Sequence, residues 1–312
     1  FKTVPWQVGQ LVSGVEQGSI SLPDLQRPFV WPATKVRDLF DSMYKGYPVG
    51  ALMFWDVPED GATRKISTGT GLSAQHQIID GQQRLTSLFA TMKGVTVRDE
   101  SYRNRRIRIS FNPLTERFEV RSPAIARSPE WIDDISKVWS ADFDEDDNYL
   151  EPLEASGREL TKEQRRKLKK TIQRLENIEI YTFDVVHIQA EVEKRLVADV
   201  FVRINSEGVS LKAYDYILTW LSVFWPEGRS EIEEFARQSR ITPQRATEVS
   251  GERVSWTPWN PFWKVETGHI VRTMVAFGQN RAKLLDAYSN LQAKDRTTGQ
   301  VDADKQEHEL EP

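Results

Sequence analysis

Within the first 95 residues the apolar positions repeatedly change period, and a chain patterned in this way has to layer helices on a sheet. Val8, Leu11, Val12 and Val15 recur at helical spacing, with Pro5 near the start of the predicted helix and Gly18 at its end. Pro23, Pro28 and Pro32 then forbid a continuous helix and favour an extended, turning segment. Thr34 is the expected N-cap of a second helix whose stripe is Val36, Leu39, Phe40 and Met43, closed by Gly46. Val49 to Trp55 and Gln77 to Ile79 read as strands, and Asp80 as the cap of a third helix carrying Leu85, Leu88, Phe89 and Met92.

Further along, Arg106 to Phe111 and Arg117 to Arg121 form a predicted hairpin across Asn112-Pro113. An acidic loop (residues 142–147) precedes a basic stretch from Lys162 to Arg174, which reads first as a solvated helix face. Ile178 to Phe183 is a predicted strand, and from Ala190 the spacing is helical, with Gly208 as a break. The expected class is therefore α+β. An α/β domain covers residues 1–125, a connecting segment 126–184 and a mainly helical domain 185–293, and a polar tail expected to be disordered covers 294–312.

Composition removes whole classes of chemistry. Without cysteine there is no disulfide framework, thiolate metal site or cysteine nucleophile. Four scattered histidines give no metal-ligand spacing, so no metal site is expected. A net formal charge of −4 denies the chain a general polyelectrolyte footprint, and any nucleic-acid contact has to be local. No apolar run reaches the roughly 18 residues of a membrane span, and no leader pattern opens the chain, so a cytoplasmic protein is expected. The start at Phe1 and the polar end are what a processed or shortened chain shows.

The sharpest chemical signal is Ile78-Ile79-Asp80-Gly81-Gln82-Gln83-Arg84-Leu85. A strand running through a glycine turn into a helix presents backbone donors and the positive end of a helix dipole at one point. Arg84 adds a bidentate donor fork, so the junction suits a phosphate. A capping box, in which Asp80 and Gln83 satisfy each other's backbone amides, is an equally local account and compatible with the first. Gln26 and Arg27 sit in a stiff, aromatic-flanked loop, where Arg27 is a second anion ligand or an anchor. Arg203 and Asn205 lie beside an apolar stripe that ends at Gly208, as either a helix C-terminus or a site-facing helix end would place them. Trp256, Trp259, Phe262 and Trp263 are expected to pack, although exposed aromatics would stack on bases. No Walker A string or serine elbow is present.

At these places the chain resembles the N-terminal domain family of GmrSD-type modification-dependent restriction systems, found also in SspE- and BrxU-like phage-defence proteins. The strings that carry the resemblance are Leu22 to Trp31, Gly46 to Gly50, Ile79 to Thr86 and Phe201 to Asp215, in order along residues 1 to 225. The resemblance implies a ParB/sulfiredoxin-like domain followed by a helical one, in a prokaryotic restriction or anti-phage protein. It implies a nucleoside triphosphate site, with Mg²⁺ when hydrolysis occurs. In that reading Asp80, Gln83 and Arg84 act on the nucleotide, while Gln26, Arg27, Gly81, Gln82, Arg203 and Asn205 bind it. The implied partners are the nucleotide, modified DNA, a downstream or partner nuclease domain and a second copy of the chain. No His-Asn-His constellation can be assembled, so nuclease activity is not assigned to these residues. A DNA-binding or modified-base-sensing module without turnover is the alternative, with Arg98 to Arg108 and Lys162 to Arg174 along the duplex.

Overall fold

The computed structural model describes residues 1–21, 29–56, 75–98, 104–193 and 225–280, together with residues 196, 197, 200, 214, 217, 218, 220, 221, 283 and 284. The chain divides into two compact units, Phe1–Val192 and Glu193–Pro312.

The first unit is built on a mixed five-stranded sheet. Its strands are β1 (Lys2–Gln7), β2 (Ile20–Ser21), β3 (Leu52–Asp56), β4 (His76–Asp80) and β9 (Thr182–Ile188), in the order β1-β9-β3-β4-β2. β9 runs antiparallel to β1 and parallel to β3, so the last strand in sequence lies between two early ones. Helices α1 (Val8–Gln17), α2 (Ala33–Tyr44) and α3 (Gln82–Met92) lay their apolar stripes on this sheet. Val8, Leu11 and Val12 of α1, Val36 and Phe40 of α2, and Leu85 and Leu88 of α3 join Phe54, Ile78, Phe183 and Val185 in one buried core. Each such side chain contributes about 1.5–3 kcal/mol by leaving water.

Two antiparallel hairpins extend the unit, β5 (Thr96–Arg98) with β6 (Asn104–Arg106) and β7 (Ile109–Asn112) with β8 (Arg117–Val120). A short helix α4 (Glu151–Ala155) and the longer α5 (Lys162–Glu176) follow. α5 begins in a capping box, with Thr161 and Gln164 satisfying each other's backbone amides, and buries Leu168, Ile172 and Leu175 in the same core. In the second unit, helices at Pro226–Gln238, Pro243–Ser250 and Thr267–Gly278 are described, and Ile217, Trp220, Ile232, Val271 and Val275 form a separate cluster. Among the described residues no helix is long and apolar enough to cross a membrane.

The α+β class is as expected, and three local expectations are corrected. Residues 2–7, with Pro5 inside them, form a strand. β1 occupies a sheet edge, where a residue without an N–H is tolerated. The predicted strand at 178–183 is displaced: Asn177–Ile180 is a 3-10 turn, and the strand runs over Thr182–Ile188. Thr34 does not cap α2, because Pro32 takes the N-cap position and no side chain caps that end.

Candidate functional site at the β4–α3 junction

β4 ends at Asp80, Gly81 turns the chain, and α3 starts at Gln82. The turn needs a left-handed residue: Gly81 has φ 88°, and a Cβ there would lie 2.3 Å from Cδ2 of buried Leu52. β3 and β4 lose register between Met53 and Phe54, so Asp80 pairs with Met53 rather than continuing the ladder. Bulges of this kind re-aim a side chain at the end of a strand.

The capping box expected of Asp80 and Gln83 is not formed. Asp80 is the last residue of β4, the N-cap is Gly81, and no side chain caps α3. The Asp80 carboxylate instead accepts from Arg84, with Nη2 to Oδ2 at 3.2 Å, one helical turn away. Arg84 Nη1 donates to the Val49 carbonyl at 3.1 Å, which fixes the guanidinium between the strand end and the segment before β3. Gly50 clears the space for it: at φ 87° a Cβ would stand 2.3 Å from Arg84 Nη1. The Arg84 side chain is 19% exposed and that of Asp80 34%, so a fixed cation and a solvent-facing carboxylate share the positive end of the α3 dipole. Gln83 does different work. Its Oε1 accepts from the Val30 amide at 3.0 Å and ties the segment after the proline-rich loop to the first turn of α3.

Asp80, Gly81, Gln82, Gln83 and Arg84 are thus brought together at one junction. Gln26, Arg27, Arg203 and Asn205 lie outside the described residues, as does the expected break at Gly208.

Part of the basic stretches expected along a duplex is engaged within the first unit: Arg106, Arg108, Arg165, Lys169 and Arg174. Arg165 pairs with Asp146 and Glu154 at 2.8 Å each, and Lys169 also bonds Asp146. Asp146 is held below the usual carboxylate range by its hydrogen bonds from Lys169 and Arg165. Arg174 lies over the Tyr44 ring at 4.2 Å and bonds Glu116 and the Tyr44 carbonyl. Arg106 and Arg108 both reach Asp134, a buried carboxylate. The acidic loop and the basic helix, read separately from the sequence, are two sides of one ion-pair network.

Two features depart from expectation. Trp256, Phe262 and Trp263 are exposed by 70%, 93% and 62%, not packed. Asp56, His76 and His187 converge at the other end of β4, with ligand atoms within 4.8 Å of one another. Residues so far apart in sequence gave no spacing signal.

With this geometry in view, comparison with known proteins is decisive for the family. The family model of the GmrSD restriction endonuclease N-terminal domain matches residues 8–222. The chain belongs to that family. An uncharacterized protein of Methanocaldococcus jannaschii is 33% identical over 89 residues, which are 25% of this chain and 15% of that protein. The family resemblance read from the four strings along residues 1 to 225 is therefore correct, and the family is that of a restriction endonuclease domain.

Proposed function

We propose that this GmrSD-type domain binds a nucleoside triphosphate at the β4–α3 junction and regulates an associated nuclease that acts on modified DNA. The observation that carries the reading is the seated Arg84: a guanidinium held between Asp80 and the Val49 carbonyl, at the positive end of a helix dipole. Phosphate oxygens match that donor fork, and pinning Arg84 in advance lowers the ordering cost of binding. Val30 is bonded to Gln83, and in this reading Gln26 and Arg27, which precede it in sequence, supply the remaining anion contacts. In the same reading the five-stranded sheet corresponds to a ParB/sulfiredoxin-like core. A homodimer, and a site in the cytoplasm of a prokaryote, belong to the same proposal.

Mg²⁺ fits this donor set in one respect. Asp80 offers a single, partly exposed carboxylate, and Mg²⁺ is commonly held by one or two carboxylates with substrate phosphates and water. When bound it would neutralise phosphate charge. Asp80 would hold it or orient a water, Arg84 would carry the phosphate charge, and Gln83 would keep the loop in place. Turnover is slow, or depends on DNA or on the nuclease partner.

Isothermal titration with ATP and GTP in the presence of Mg²⁺ tests the proposal. Arg84→Ala is expected to weaken binding at least about 30-fold, roughly 2 kcal/mol, as loss of one partner of a desolvated charged contact does. Arg84→Lys should lose less, since it keeps the charge and forfeits only the fork. No heat from either nucleotide at millimolar concentration would sink the reading and favour DNA sensing without turnover. The exposed Trp256, Phe262 and Trp263 are the observation that supports that second reading, as stacking platforms for unpaired bases.

A further inference from the structure

Three strands deliver Asp56, His76 and His187 to one place. Asp56 is the last residue of β3 and is paired directly with His76, the first of β4. His187 of β9 is paired with Phe54, which shares a sheet face with Asp56 two residues on. Both imidazoles aim the same atom at the same acceptor: His76 Nδ1 lies 2.7 Å and His187 Nδ1 2.9 Å from Asp56 Oδ1. Their rings are held from the side. Phe54 is stacked on His76 with centroids 6.1 Å apart, and Trp6 stands 5.4 Å from His76 and 5.5 Å from His187. His187 is buried, while the Asp56 side chain keeps 31% of its exposure, so the cluster is walled on the aromatic side and reachable through the carboxylate.

We infer that Asp56, His76 and His187 form a binding site for a divalent transition-metal cation of the zinc class. Two neutral imidazoles and one carboxylate, with the remaining coordination left to solvent, are a donor set that such a cation takes and that Mg²⁺ does not favour. Donors around tetrahedral zinc stand about 3.3 Å apart, so the carboxylate has to withdraw by roughly half an ångström from the two nitrogens, within a cluster whose ligand atoms all lie within 4.8 Å of one another. Both rings then present Nδ1 as a lone pair and carry their proton on Nε2. Phe54 and Trp6 restrict the rings and keep the near side of the site apolar, which favours both orientation and affinity. A cation here fastens β9 to β3 and β4. This site is separate from the nucleotide proposal, because Asp80 stands at the far end of β4, about 13 Å along the strand from His76.

The full chain, stripped with a chelator and dialysed, should be titrated with Co²⁺ and, separately, with Zn²⁺. Co²⁺ is expected to develop visible d–d absorption that saturates at one equivalent, and Zn²⁺ to raise the melting temperature. Asp56→Asn keeps the shape of its side chain and His76→Phe keeps a ring against Trp6 and Phe54. Both are expected to retain the wild-type far-UV circular dichroism, to weaken Co²⁺ binding by about 100-fold or more, and to lose the thermal response to Zn²⁺. Wild-type protein that gives no d–d bands, or bands and thermal shifts equal in both variants, would overturn the assignment. Equal signals in the variants would place the cation on other histidines.

Discussion

Gly81→Ala should destabilise the first unit by about 2–4 kcal/mol, the sum of a left-handed backbone penalty and overpacking against a buried side chain. The added methyl would sit 2.3 Å from Leu52 Cδ2, and Leu52 is 1% exposed, with no solvent side to turn to. Because Gly81 joins β4 to α3, any adjustment that relieves the clash moves Asp80 and Arg84 relative to each other. Urea denaturation should show the midpoint falling with little change in slope. A loss below about 0.5 kcal/mol, the level of an ordinary surface substitution, would mean that the turn is not as tight as described.

Arg229→Met should cost the second unit about 3–5 kcal/mol at neutral pH, because it leaves a buried carboxylate without its cation. Arg229 Nε donates to Glu233 at 2.9 Å and Nη1 donates to the Leu218 carbonyl at 2.9 Å, and both charged side chains are only 5–6% exposed. Burial pushes the Glu233 carboxyl above its ordinary range, and the Arg229 charge pulls in the opposite direction. Removing Arg229 leaves the upward push unopposed. A carboxyl whose pKa is higher folded than unfolded supports the fold below about pH 4.3 and loses that support as pH rises through the folded value. The deficit of Arg229→Met should therefore shrink on acidification toward pH 4 and grow toward neutrality. Melting curves at both ends of that range would measure it; a deficit independent of pH would show that Glu233 does not carry the charge assumed. Arg229→Met combined with Glu233→Leu should recover much of the loss.

The helices of the first unit are legible in the sequence because their period and their ends agree. Val8, Leu11 and Val12 set the stripe of α1, and Gly18, at φ 79°, takes the left-handed position that ends it. β1 was hidden by Pro5, which argues against a strand anywhere but an edge, and the sequence does not say which strand is the edge. β9 was misplaced because Ile178, Ile180 and Tyr181 are apolar, whereas the real strand carries Asp184 and His187. The β4–α3 junction was legible as strand, turn and helix, but the destination of its side chains was not. Asp80 and Gln83 match a capping box in spacing, but Asp80 pairs with Arg84 within the same string and Gln83 with Val30, which arrives from outside it. The Asp56, His76 and His187 cluster is legible only once the order β9-β3-β4 is known.

That strand order also dictates how the chain can be made. Until Thr182–Ile188 has left the ribosome, Lys2–Gln7 and the outer edge of Leu52–Asp56 have no partner strand, and the earlier helices rest on a sheet missing its middle. Pairing across so long a stretch of chain is slow, since loop closure has to precede the contacts that reward it. During synthesis this sheet must wait for its keystone.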